Sequence, residues 1–177
     1  GIAVLQMCNM LEAFDVRAGG HNSATSIHLL TEVMRRAYAD RSKWLGDPGF
    51  FPVPVQGLIS SGYAERLRSG IDRSKVTEVA PGLPPGAQQE SDDTTHFSVV
   101  DGEGNAVSCT TTINSTFGAG LVVEGAGFLL NNEMDDFSAK PGTPNQFGLV
   151  GGKANEIHPG KRMQSSMPQT IMLKDGK

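Results

Sequence analysis

The 177 residues are enough for one domain or for a segment of a larger one, and they carry 15 Lys plus Arg against 19 Asp plus Glu, a net charge of -4. Both signs are spread along the chain, which excludes the basic stripe of a nucleic-acid surface, and no apolar run approaches the ~18 residues of a membrane span. Cys8 and Cys109 lie far apart with no CxxC pair, so the sequence predicts two small buried apolar side chains rather than zinc or redox chemistry.

The chain opens directly on an apolar helical pattern. Ile2, Leu5, Cys8 or Asn9, Met10, Leu11 and Phe14 recur at helical spacing and predict a helix over 2–14 with one buried face. Gly19-Gly20-His21-Asn22 breaks it, and Ser23 or Thr25 is placed to cap the next helix by accepting a backbone N–H. That helix is predicted over 26–44, with Ile27, Leu30, Met34, Ala37 and Tyr38 inward and Glu32, Arg35, Arg36 and Arg41 outward. Gly46-Asp47-Pro48 ends it. A short helix is expected over 61–69, and then a connection over 74–93 that contains Pro81-Gly82-Leu83-Pro84-Pro85-Gly86. A run of this length without core-forming residues reads as a functional loop or a linker, and exposed linkers are where chains are cut.

After it the periodicity turns to alternation. Phe97 and Val99 and then Ala106, Ser108, Thr110 and Thr112 flank Asp101-Gly102-Glu103-Gly104-Asn105, the pattern of a hairpin with strong turn chemistry. Further strands are predicted at 127–131 and 170–173. Helices first and strands second predict an α+β fold with helices layered on a sheet. Both ends read as interior to a longer polypeptide, the last of them at Asp175-Gly176-Lys177, a hairpin-turn signal with no returning strand.

Several stretches offer chemistry. Thr94 stands where the linker meets the first strand. A mid-chain threonine hydroxyl is a poor nucleophile, whereas one at a new N-terminus has its own amine beside it as a base. Alternation puts Thr110, Thr112 and Asn114 on one strand face, either a solvent face or a pocket wall beside Thr94. The amide and carboxyl side chains of Asn131-Asn132-Glu133-Met134-Asp135-Asp136 form a solvated acidic turn or a cluster able to hold an ammonium group. Residues 141–152, with Phe147 and Leu149 at their tip, form a lid or an ordinary surface loop. Ser165-Ser166 follows Lys161-Arg162 and can form a turn or bind a carboxylate.

Metal binding is not indicated. Asp101 to Asn105 begins like a calcium loop but lacks its later Gly and bidentate Glu, and His21, His28, His96 and His158 have no ligand spacing. Gly118-Ala119-Gly120 and Gly125-Ala126-Gly127 do not complete GxGxxG, and Asn114-Ser115-Thr116 matches a glycosylation tripeptide that is common by chance.

Taken together, TTHFSVVD, GNAVSCTTTINSTFGAG, LLNNEMDDFSAKPGTPN, GLVGG and KRMQSSMPQT resemble the γ-glutamyltransferase (γ-glutamyltranspeptidase) family of N-terminal nucleophile hydrolases, and upstream GHNSA, TEVMRRAYADRSKWLGDP and LISSGYAERLR agree. The resemblance implies an αββα sandwich, present here as a part. It assigns residues 1–93 to the end of a large subunit and 94–177 to the start of a small catalytic subunit, separated by self-cleavage before Thr94. It implies a glutamyl ester on Thr94 Oγ, formed from glutathione or another γ-glutamyl amide and resolved by water or by an amino-acid or peptide acceptor, with no cofactor. The Thr94 amine, with an ordinary pKa near ~8, suits a general base near neutral pH.

By the same resemblance Thr112 meets the nucleophile, and Asn114, Glu133 and Asp136 hold the α-amino group of the substrate. Ser165 and Ser166 meet its α-carboxylate. Phe147 takes the place of a lid aromatic that is often Tyr, so no hydroxyl is offered there. A carboxylate-binding Arg and the glycine pair of the oxyanion hole belong to stretches outside residues 1–177, which predicts an inactive segment, since losing oxyanion donors costs about 10²-fold or more. Periplasmic or extracellular action is implied as well. The alternatives are an acylase removing glutaryl side chains from β-lactams, disfavoured by Asp136, and an unprocessed, non-catalytic relative.

Overall fold

The computed structural model describes residues 1–79 and 95–174. Thr94, and with it the Pro81 to Gly86 run, lies outside the described residues. Helix α1 is Ile2–Leu11, α2 Ala24–Trp44, α3 Val55–Leu58 and α4 Ser61–Ser69, and strands β1 Thr95–Val100 and β2 Ala106–Thr111 form an antiparallel hairpin.

Local chemistry sets these boundaries. Ser23 caps α2 by accepting from Ser26 N at 3.1 Å, and Ser60 caps α4 by accepting from Tyr63 N at 3.3 Å. Helix α4 occupies the span expected from its pattern and ends at Gly70. In the hairpin turn the Asp101 carboxylate accepts from Glu103 N and Asn105 N, both at 2.9 Å, and Gly104 takes a φ of 86°. That turn fixes a register in which Thr95 opposes Thr111 and Phe97 opposes Cys109.

The core lies between α1, α2 and α4, where Met10, Leu29, Val33, Ala37 and Ala64 are buried and Met7, Leu11, Phe14, Leu67 and Ile71 pack around them. Burial of a side chain such as Val33 contributes about 1.5–3 kcal/mol. The inward faces differ from the pattern reading. In α1, which stops at Leu11 rather than Phe14, Gln6 and Met10 are buried while Leu5 and Cys8 are exposed, and Cys109 is half-buried, so neither cysteine is the core residue expected.

In α2 the buried face is Leu29, Glu32, Val33, Arg36 and Ala37, whereas Ile27, Leu30 and Met34 are exposed. The reason is an ion pair within α2 whose remaining donors reach other segments. Arg36 bonds the Glu32 carboxylate at 2.8 Å, and its other N–H groups donate to the carbonyls of Leu67 and Gly70 at the C-terminal end of α4, and to Thr77 Oγ1. The Thr77 hydroxyl donates in turn to Glu32, and Arg35 donates to Glu32 and to Thr77 O. Burial pushes the Glu32 carboxyl up, but the Thr77, Arg36 and Arg35 donors outweigh it and bring it down to about 2. The start of the predicted connection is thus fastened to α2 as far as Thr77.

Two predicted strands are absent. Around 127–131 the chain makes a narrow turn with a single bridge between Val122 and Leu129, because Gly118, Gly120, Gly125 and Gly127 all adopt positive φ and interrupt extended backbone. Residues 170–173 find no partner strand among the described residues, and Met172 is 88% exposed. A last tie joins the segment just after α2 to Arg162, 115 residues further on. Arg162 grips the buried Asp47 carboxylate with Nε at 3.1 Å and an outer nitrogen at 2.9 Å, and its backbone N adds a third bond at 3.0 Å. These bonds hold Asp47 well below the usual carboxylate range.

Candidate active site

The end of β2 leads into the wall of a cavity of about 490 Å³. Thr110 and Thr112 lie along it. Asn114 follows at φ 75°, a left-handed conformation that asparagine tolerates better than most residues. Asn114 is buried, its backbone N donates to Thr112 Oγ1 at 2.9 Å, and its side-chain amide donates to Asn132 O at 3.2 Å. That last bond ties the end of the hairpin to the 3₁₀ turn Glu133–Asp136, which forms the next part of the wall.

This turn is the acidic part of the site. Both carboxylate oxygens of Glu133 are buried, and no hydrogen-bond donor reaches them among the described residues. Burial pushes the Glu133 carboxyl up, and the neighbouring Asp136 pushes it further. Asp136 is also raised, first by burial; Glu133 and the Arg41 guanidinium counter that rise, and Asp135 adds to it. Two crowded carboxyls in a partly buried wall favour a cationic partner that brings N–H donors.

The loop over 141–152 forms the rim. Gly142 N donates to Gly151 O at 2.9 Å across its base, and the Asn145 side chain accepts from Phe147 N and Leu149 N at its tip. Gln146 N reaches the Asp135 carboxylate at 3.2 Å. Phe147 and Leu149 therefore line the cavity instead of standing in solvent. Ser166, Met167 and Pro168 line the same cavity. Ser165 caps its own turn, accepting from Met167 N at 3.1 Å, and lines a neighbouring cavity that shares Tyr38, Arg41, Gln164 and Ser166 with the first.

Of the residues singled out from the sequence, Thr112, Asn114, Glu133, Asp136, Phe147 and Ser166 share one cavity, and Ser165 sits at its edge. Thr94 is outside the described residues; β1 starts at Thr95, opposite Thr111 and one residue short of Thr112. Arg41, expected on the solvent face, is half-buried over the Tyr38 ring and lines both cavities. Tyr38, Ser42, Asn155 and Gln164 also line the site without having been singled out for it. The buried Gln164 Nε2 has no partner among the described residues. Among them, too, no group of three or more His, Cys, Asp or Glu side chains is arranged to hold a metal ion, and no helix is long and apolar enough to cross a membrane.

A family model described as gamma-glutamyltranspeptidase matches residues 1–177, the whole chain. The chain belongs to the γ-glutamyltranspeptidase family. Within it the chain is 51% identical over 180 residues to the glutathione hydrolase proenzyme of Escherichia coli K12, covering all of this chain and 31% of that protein. It is 40% identical over 177 residues to the acylase ACY 1 proenzyme of Pseudomonas sp. SE83, covering 29% of that protein. The chain thus spans about a third of the length of these family relatives.

The crystal structure of cephalosporin acylase from Bacillus halodurans superimposes with a TM-score of 0.66 at 25% identity, over 94% of this chain and 27% of that one. The fold is α+β, part of the αββα sandwich of the N-terminal nucleophile hydrolases. The end of the β1–β2 hairpin brings Thr110 and Thr112 to the cavity.

Proposed function

We propose that the complete protein is a self-processing γ-glutamyl transferase and hydrolase acting on glutathione and other γ-glutamyl amides. The observation that carries this reading is the acidic wall of the cavity, where Glu133 holds two buried carboxylate oxygens that receive no donor, beside Asp136. An α-ammonium group supplies the missing charge and the missing N–H donors together. Ser166, with Ser165 beside it, is suited to the α-carboxylate, and Thr112 lines the same cavity.

In this reading, cleavage before Thr94 divides the precursor into a large subunit ending with residues 1–93 and a small subunit starting with 94–177. The freed Thr94 amine takes the proton from Thr94 Oγ as the oxygen attacks the γ-carbonyl carbon. The C–N bond then breaks, the proton passes to the departing amine, and a glutamyl–Thr94 ester remains. Water or the amine of an amino acid or peptide attacks that ester, releasing glutamate or a new γ-glutamyl amide and restoring the Thr94 hydroxyl. Thr112 is assigned to orient the nucleophile and Asn114 to share in holding the α-amino group. The Phe147 ring closes the rim by contact alone, since it has no hydroxyl. Periplasmic or extracellular action accompanies the proposal.

The acylase relatives support a second reading, removal of a glutaryl side chain from a β-lactam. A glutaryl group has no α-amino nitrogen and leaves Glu133 and Asp136 facing a methylene, which is why the glutamyl reading is preferred. The test is the mass and N-terminal sequence of the purified full-length protein together with its rate on a γ-glutamyl anilide. Two chains, the smaller beginning at Thr94, with release of the aniline, are expected. A chain that stays intact and turns nothing over would leave an unprocessed, non-catalytic relative.

A further inference from the structure

The two halves of the proposed amino-acid subsite come from separate stretches, and one buried side chain joins them. Asn155 closes the 3₁₀ turn Lys153–Asn155 and is 5% exposed. Its Nδ2 donates to Asp136 O at 2.6 Å, and its Oδ1 accepts from Gln164 N at 3.0 Å. The first bond holds the backbone of the acidic turn; the second holds the residue directly before Ser165. Asn155 is itself rooted, because its backbone N donates to Gly152 O at 3.2 Å and its carbonyl accepts from Ser138 N at 2.9 Å.

The turn in turn is held against the end of α2. Gly152 N donates to Ser42 O at 3.1 Å, and Gly46 lies so close to Ala154 O that a Cβ there would collide with it. By contrast, Ser165 and Ser166 are exposed and belong to no helix or strand, so their distance from Asp136 is set by the anchors on either side. The Gln164 N to Asn155 bond is the anchor next to them.

We infer that Asn155 is a positioning residue that sets the span between the group binding the substrate's ammonium and the pair binding its carboxylate. The inference rests on the γ-glutamyl reading. An α-amino acid carries both charges on one carbon, so the two receiving groups have to be held within about 0.5 Å of their working separation. Asparagine suits this task because its short amide offers a donor at one end and an acceptor at the other. Aspartate lacks the donor, and alanine lacks both.

The test uses the full-length processed protein, with Asn155→Ala and Asn155→Asp. With γ-glutamyl p-nitroanilide, Asn155→Ala is expected to raise KM by about tenfold or more, as for other groups displaced in a binding site. The kcat per titrated active site should stay within about threefold, since Asn155 touches no reacting atom. The Ki of free L-glutamate should rise in parallel, and that of glutarate, which carries no ammonium group, should not. Asn155→Asp keeps the acceptor for Gln164 N and the side-chain shape, and it covers the case in which the alanine variant does not fold; an intermediate rise in KM is expected. A loss confined to kcat, or KM values equal to wild type in the folded variants, overturns the clamp while leaving the proposed function standing. A wild-type protein that turns over no γ-glutamyl anilide overturns the function and the clamp with it.

Discussion

Replacing Asp136 by asparagine is the most direct probe of the acidic wall. The side chain keeps its size, and the Asp136 carbonyl remains available to Asn155 Nδ2, so the clamp at 2.6 Å is undisturbed. What is lost is one negative charge in a wall where burial already raises both carboxyls. A hydrogen bond to a charged group contributes about 1.5–3 kcal/mol, and each ~1.4 kcal/mol is tenfold in an equilibrium. Since Glu133 stays in place as a second acceptor, the lower half of that range applies. The kcat/KM for a γ-glutamyl anilide should fall roughly 10- to 50-fold, mainly through KM. For a glutaryl anilide the same substitution should be neutral or favourable, because it removes a carboxylate that faces only a methylene. Initial-rate kinetics on both donors with the processed full-length protein measure the ratio. Equal losses on the two donors, or none on the glutamyl donor, would refute the assignment of Asp136 to an ammonium group.

Two pH dependences follow from the same electrostatics. Glu133 and Asp136 titrate above their ordinary values because burial disfavours the ionised forms, with Arg41 opposing and Asp135 assisting the rise at Asp136. On acidification they take up protons before exposed carboxyls do, so KM for a γ-glutamyl donor should begin to climb above the ordinary carboxylate range of about pH 4; a pH profile of KM flat down to that range would contradict this. Glu32 behaves in the opposite way. With its carboxyl brought down to about 2 from 4.5, the folded state holds fewer protons than the unfolded one between those values. Its stabilising contribution is complete above pH 4.5 and is lost as the pH falls toward 2. Urea melts of wild type and Glu32→Gln across that interval should converge at the acid end, and a constant difference would be inconsistent with the Glu32–Arg36 network.

Much of the local structure can be read from residue chemistry alone. The serine caps of α2 and α4, the bounds of α4 and the Asp101 to Asn105 hairpin depend on contacts within a few residues, and local sequence contains everything needed to specify them. The stretches TTTIN, NNEMDD and QSSMP mark residues that the fold brings to one cavity, but β2 ends at Thr111 and Asn114 turns to a φ of 75°, so strand alternation does not account for how Thr112 and Asn114 come together.

The tertiary structure decided which groups go inside and which meet across long separations. The α2 pattern points Ile27, Leu30 and Met34 inward, yet Glu32 and Arg36 are buried instead. Arg36 there donates to carbonyls of Leu67 and Gly70 that only the arrival of α4 brings near. The same holds for Arg41, a helix-surface residue by its spacing, which faces a cavity because the 3₁₀ turn at Glu133–Asp136 and the Ser166 to Pro168 segment fold against the end of α2. Asn155 has no local signal: its donor and acceptor meet partners 19 and 9 residues away, and its task exists only once both are in place. Residue order thus determined the caps, the turn and the identity of the chemical groups, whereas burial and distance, which depend on contacts between distant segments, determined how those groups form a site.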